Sequence, residues 1–261
     1  MTRLLPSRAT ILAVAIALAS PSLVVLHAQS KITVSVAGLR VVGPGIGENG
    51  GEQRPYNEKT GTSIVLVLKV PKGLGLVELD EDNSSIDAAT DDKGTDLRED
   101  ASFGPFPEIV KDGSAGLMEI RLGVRPAAGS TAINAEGSMA VTSATGSKPV
   151  KTAAVPLVEG KTVKVGTITL TVGKVEAGEE DTSVTFNLPR TSLKTIKTVK
   201  FVDAKGTEIE SDRVGSGYFN DTGELDYKLK TKAKSVIMIC DVWQGLKTDK
   251  VPFKVSAGLG F

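Results

Sequence analysis

Residues 90–97 read TDDKGTDL, and 112 positions further on residues 202–209 read VDAKGTEI. Both octets hold an aspartate at the second position, Lys-Gly-Thr at the fourth to sixth, and an acidic residue followed by an aliphatic one at the end. An aspartate side chain accepts hydrogen bonds from backbone N–H groups just ahead of it, and a glycine takes positive φ freely. With β-branched runs on either side, that is the chemistry of a tight hairpin turn. The carboxylates of the first octet also invite a metal-site reading. Only Asp92 is peculiar to that copy, because Ala204 stands in its place in the second. Asp91, Lys93 and Gly94 therefore read as turn residues, and any special chemistry falls to Asp92 and the acidic residues before it.

Three further pairs of segments repeat in the same order. ITVSV at 32–36 returns as ITLTV at 168–172, TSIVLVL at 62–68 as TSVTFNL at 182–188, and VKTAAVPL at 150–157 as LKTDKVPF at 246–253. The offsets fall from 136 through 120 and 112 to 96, so the first copy carries 40 extra residues, spread over three places. Insertions distributed in that way are loops. The repeated segments alternate apolar and polar residues, and Gly, Asn, Asp and Pro punctuate them. No helical period stands out after the N-terminal leader. The reading is an all-β protein of two tandem antiparallel immunoglobulin-like β-sandwich domains, residues 30–158 with long loops and 159–261.

Residues 1–28 are a separate device. Arg3 and Arg8 precede the apolar run ATILAVAIALAS, and PSLVVLHA then leads into polar QSK, the pattern of a secretory signal peptide cut after Ala28; a cut after Ala19, at ALA, also fits the small-residue rule. Ser20 and Pro21 interrupt the run before the ~20 apolar residues that a membrane span needs. The mature chain is expected to be exported, with no transmembrane helix. Cleavage after Ala28 removes His27, the one histidine, and leaves the single cysteine Cys240 in the apolar run SVIMICDVW. An intramolecular disulfide is thereby excluded, and Cys240 reads as a buried strand residue. Net charge is zero, which gives no electrostatic case for a nucleic-acid partner.

The missing histidine removes nucleophile–histidine catalysis and His-based zinc sites from a mature chain. Gly45, Gly47 and Gly50 match G-x-G-x-x-G formally, but GEQRPYNEKTG follows them in place of a helix, so they read as a loop. Carboxylate chemistry survives. From Glu78 to Asp100 ten acidic residues stand against Lys93 and Arg98, a local charge of −8. Asp80, Asp82, Asp87 and Asp92 are the candidate oxygen ligands for Ca²⁺, although the spacing is not that of an EF-hand loop. No cofactor is required by the sequence. Tyr218 and Phe219, in GSGYFNDTGE, are candidate ligand-binding aromatics. As neighbours in a strand they point to opposite faces, so one is expected to pack inward and one to be exposed.

The C-terminal FKVSAGLGF also fits the closing strand of an outer-membrane barrel, the rival architecture, but 4% aromatics are too few for two interfacial girdles. Asn83-Ser84-Ser85 and Asn220-Asp221-Thr222 have the form of glycosylation sequons. With its leader, TDDKGTDL, FGPFPEI, FVDAKGTEIESDR, DVWQGLK and the GLGF end, the chain resembles a group of uncharacterised secreted bacterial proteins with tandem β-sandwich domains. The resemblance implies export and fold, and supplies no residue with a role. The expectation is a secreted or periplasmic, non-enzymatic binding or scaffold protein of adhesion type, its partner a protein or polysaccharide at the cell surface. The alternatives are a calcium-assisted carbohydrate-binding module and, with less support, a carboxylate glycosidase.

Overall fold

The structure, a computed structural model, describes residues 32–46, 53–105 and 107–260. The leader, Gly47 and Gly50 of the glycine-rich loop, Phe106 and Phe261 lie outside the described residues. The chain is all-β. Its strands are β1 (Thr33–Val42), β2 (Gly61–Lys69), β3 (Gly75–Asp91), β4 (Ser102–Phe103), β5 (Glu108–Ile109), β6 (Ala115–Leu122), β7 (Ala132–Ala144), β8 (Gly146–Pro156), β9 (Thr162–Val165), β10 (Ile168–Ala177), β11 (Thr182–Pro189), β12 (Ile196–Val202), β13 (Glu208–Ile209), β14 (Ser211–Phe219), β15 (Thr222–Leu229), β16 (Ser235–Gln244) and β17 (Lys247–Gly258). A single helical turn, α1 (Arg190–Leu193), and a 3₁₀ turn at Pro55–Asn57 interrupt them. Neither has a helical period to betray it, being shorter than the repeat that such a pattern needs.

The strands form four open antiparallel sheets, in the orders β1-β2-β6-β4 (with β5 also on β6), β17-β7-β3, β14-β15-β11-β10-β9 and β13-β12-β16-β8. None of these orders closes on itself, as the rival barrel would require. The first two sheets enclose one apolar core, containing Ile64, Leu66 and Leu68 of β2, Met118 and Ile120 of β6, and Val251 and Phe253 of β17. The other two enclose a second core around Phe186, Phe201, Tyr227, Met238 and Cys240. Period-two alternation places these side chains: along β11, Val184, Phe186 and Leu188 are buried while Ser183, Thr185 and Asn187 are half-buried. Phe201 stacks on Phe186 at 6.0 Å and meets Tyr227 edge-on at 5.0 Å. Cys240 is buried as expected, and burial pushes its thiol up to about 12.

The two octets are turns of one design. Asp91 Oδ1 accepts from Lys93 N–H (3.0 Å) and Thr95 N–H (2.8 Å), and Asp203 Oδ1 accepts from Lys205 N–H (2.8 Å) and Thr207 N–H (2.9 Å). In each, the aspartate carbonyl accepts from the glycine N–H, and Gly94 and Gly206 take φ of +85° and +88°. Asp91 does more than its twin. Its Oδ2 also accepts from Ala127 N–H and Ser130 Oγ, both at 2.8 Å, which ties the 126–131 loop to the turn.

Burial opposes ionisation of Asp91, but bonds from Ala127, Thr95 and Ser130 outweigh it and hold the carboxyl well below the usual range. A depressed folded-state pKa gives stability that is complete above the unfolded value near 4 and is lost as pH falls through the folded value. The melting temperature of Asp91→Asn should therefore fall furthest below that of the parent at neutral pH. The gap should close progressively below about pH 4. Melting curves from pH 7 to 2 check this, and a gap independent of pH would refute it.

One feature of the topology has no counterpart in the sequence reading. β8 lies within residues 30–158, yet it pairs with β16 and supplies Val155 to the second core. β17 lies within 159–261, yet it pairs with β7 from Lys247↔Ser143 to Gly258↔Ala132 and supplies Val251 and Phe253 to the first. Each core is thus completed by a strand from the other half of the chain. The crossings are short. β7 runs on into β8 through Thr145 alone, and β16 into β17 through Gly245 and Leu246. The register is retained across them: Ser143 faces Lys247, Gly146 faces Gln244, and between them Thr145 N–H donates to the Gln244 carbonyl at 2.9 Å. Together β7-β8 and β16-β17 make one antiparallel ribbon running through both cores. Gly245 sits at the crossing with φ +61°, where a Cβ would lie 2.4 Å from Thr145 Oγ1.

Candidate functional site

The four acidic candidates do not converge. Asp80 and Asp82 sit at a bulge in β3, Asp87 lies further along that strand, and Asp92 is in the turn. Among the described residues no three His, Cys, Asp or Glu side chains are placed to hold a metal ion. Asp92 instead accepts from Thr131 Oγ1 (2.6 Å) and Thr131 N–H (3.1 Å), bonds that lower its pKa. Asp87 is exposed, and its carbonyl accepts from Arg98 Nη1 at 2.9 Å. Arg98 also pairs with Asp96, which takes that carboxyl down to about 2.

The bulge is a built loop. Asp80 faces Ala140 and Ser85 faces Ser138, so Glu81–Ser84 stand opposite Met139 alone. Extra residues on one strand must leave the ladder and bend outward. Asp80 closes the bend: its Oδ1 accepts from Asn83 N–H (3.0 Å) and its Oδ2 from Asn83 Nδ2 (2.8 Å). Ser84 Oγ donates to the Asp80 carbonyl and accepts from Ala140 N–H. Lys250 of β17 donates its ammonium to the Asn83 carbonyl, so the exchanged strand also supports the loop.

Opposite the bulge stands α1. Pro189 ends β11, and Arg190 N–H donates to the Asp221 carbonyl at 2.8 Å. Leu193 lies over Gly223, where an added Cβ would come within 2.4 Å of Leu193 Cγ. This seat fixes the turn on β15 and aims Arg190 at the end of β14, where its guanidinium lies 3.6 Å from the Tyr218 ring centroid. Between the bulge and the turn is a cleft of about 480 Å³ lined by Glu78, Asp80, Asp82, Arg190, Lys194 and Tyr218, with Leu79, Glu81, Asn83, Thr191 and Leu193 completing its walls. One wall comes from the first core's strands and the other from the second's. Lys194 Nζ bridges them, 2.7 Å from Glu78 Oε2, which also accepts from Thr142 Oγ1. Both partners are over a third exposed, so this pair is worth at most about 1 kcal/mol.

Tyr218 and Phe219 point to opposite faces as strand geometry requires, yet both are exposed, 60% and 76%. The expectation of one packed inward fails for a local reason. Tyr218 is opposite Gly223 and shares its face, but there α1 takes the place of the core, so its ring meets Arg190. Phe219 is on the other face, beyond the cleft. β14 pairs with β15 on one side only, and a two-residue Asn220-Asp221 turn joins them, with Asn220 at φ +52°.

The cleft therefore joins three of the six sequence candidates, Asp80, Asp82 and Tyr218, and leaves out Asp87, Asp92 and Phe219. Arg190, Thr191 and Lys194 were missed. Their one sequence signal is the segment PRTSLK, which breaks the strand pattern straight after TSVTFNL. Among the described residues no helix is long and apolar enough to cross a membrane. No family model and no curated protein matches the chain. A solved structure described as manganese lipoxygenase of Gaeumannomyces graminis and partial zonadhesin of Komagataella pastoris aligns over 85% of this chain and 96% of its own, at 8% identity. Its TM-score of 0.14 carries no argument about fold or function.

Proposed function

We propose that the chain is an exported, non-enzymatic binding protein of adhesion or scaffold type, built from two copies of an immunoglobulin-like sandwich, with the cleft as its recognition surface. The order β1-β2-β6-β4 has its counterpart in β10-β11-β15-β14, and β3-β7-β17 in β12-β16-β8, a four-plus-three arrangement that supports this duplication. The paired Asp91 and Asp203 turns support it independently. Export rests on the leader pattern of residues 1–28. The observation that carries the recognition surface is the cleft itself: opposed charged walls from two cores, fixed by the exchanged strands and the Lys194–Glu78 bridge.

The test is sedimentation of labelled mature chain with envelope fragments of the producing cell. Binding should saturate, should be lost in the double variant Arg190→Ala/Asp82→Asn, and should persist in Phe219→Ala, outside the cleft. Equal binding by all three proteins would refute the reading. Turnover of chromogenic glycosides by the parent would replace it with the hydrolase alternative.

A further inference from the structure

We infer that the cleft takes a saccharide chain, held by direct contacts without calcium; this rests on the cleft being the recognition surface proposed above. The groups that face each other decide the class. On the bulge wall, Glu81 and Asp82 have no side-chain bond among the described residues and offer four acceptor oxygens, while the Asp80 carboxylate is spent on Asn83. On the α1 wall, the Arg190 guanidinium touches the Tyr218 ring and has no carboxylate partner among the described residues, which leaves its N–H donors free beside the Thr191 hydroxyl. A simple cation would use only the first wall, and a phosphate or sulfate only the second. A peptide anchor needs a desolvated apolar pocket, and this lining offers only Leu79, itself 3% exposed, Leu193 and one ring edge. A sugar hydroxyl donates and accepts at once, so a row of them satisfies both walls, and the sugar's C–H groups fit against the part of Tyr218 that Arg190 leaves uncovered.

The volume agrees with the class. About 480 Å³ is within the ordinary range for small-molecule clefts. The bulge also explains why the carboxylates are available. The bulge lifts Glu81 and Asp82 out of the ladder, and their side chains, unlike that of Ser84, take no cross-strand partner among the described residues and are left for the cleft.

The experiment is titration calorimetry of the mature chain with defined oligosaccharides of neutral, amino and acidic sugars, in EDTA and again in Ca²⁺. At least one class should bind in EDTA. Tyr218→Ala and Arg190→Ala should each weaken it roughly tenfold, the scale of one lost aromatic or charged contact, and Phe219→Ala should leave it unchanged. Tyr218 and Arg190 are surface residues, and unaltered melting curves will show that their variants fold. Absence of binding by every oligosaccharide would overturn the saccharide class. If envelope binding then still fell in Arg190→Ala/Asp82→Asn, the recognition surface would stand with a different ligand. Binding seen only with Ca²⁺, or unaffected by Tyr218→Ala, would also overturn the inference.

Discussion

Truncation after Leu246, which removes β17, is expected to unfold the first core while the second stays folded. On sequence order alone the opposite holds, since β17 follows β16 and would be taken from the second. The burial decides. Val251 and Phe253 are 9% and 5% exposed within the first core, Val255 and Leu259 pack against it, and Ala257 is 4% exposed. Each fully buried Val or Phe side chain contributes about 1.5–3 kcal/mol, and a domain's net stability is only about 5–15 kcal/mol. Loss of these side chains and of a twelve-pair ladder with β7 therefore removes most of what holds that core. Hydrogen exchange should show β2 and β6 unprotected in the truncated chain, with β11 and β15 still protected. A synthetic peptide of residues 247–261 added in trans should restore protection at β2, because its pairing face on β7 is left vacant. Loss of protection confined to the second core, or in neither, would show that β17 does not belong where the topology places it.

Phe201→Ala should cost about 3–5 kcal/mol, the usual cost of deleting a fully buried phenyl ring. Phe201 is 0% exposed between Phe186 and Tyr227, so the cavity opens in the middle of the second core. A drop of ~10 °C in melting temperature is expected for a chain of this size. The loss should fall on the second core, because Phe201 packs there and each core is complete once its exchanged strand is in place. Probes in β11 and β15 should therefore melt earlier, while those in β2 and β6 stay where they are. Calorimetry with residue-resolved hydrogen exchange reads this. A single transition in which β2 shifts with β11 would refute the separate stability of the two cores.

The local parts of the fold were legible because local chemistry fixes them. Asp91 and Asp203 bond N–H groups two and four residues on, so the spacing of Asp, Lys, Gly and Thr suffices to place the turn whatever the rest of the chain does. Alternation in TSVTFNL fixes which side chains are buried, since period two admits only two faces. The acidic stretch was legible only as composition. Its residues are divided among a bulge, a strand and a turn, and spacing says nothing of a four-residue bulge that depends on Met139 of a distant strand. Half of the cleft escaped notice for the same reason: Arg190 and Lys194 gain their meaning from a bulge more than a hundred residues earlier.

By itself, then, the sequence determined strands, faces and turns, down to the two Asp-x-Lys-Gly-Thr hairpins. The tertiary structure decided which closing strand completes which core and, through that exchange, which residues face one another across the cleft. The physical reason is that an alternating apolar face specifies burial but not a partner. VKTAAVPL and LKTDKVPF present similar faces, and only the short, in-register crossings at Thr145 and Gly245–Leu246 send each into the other core.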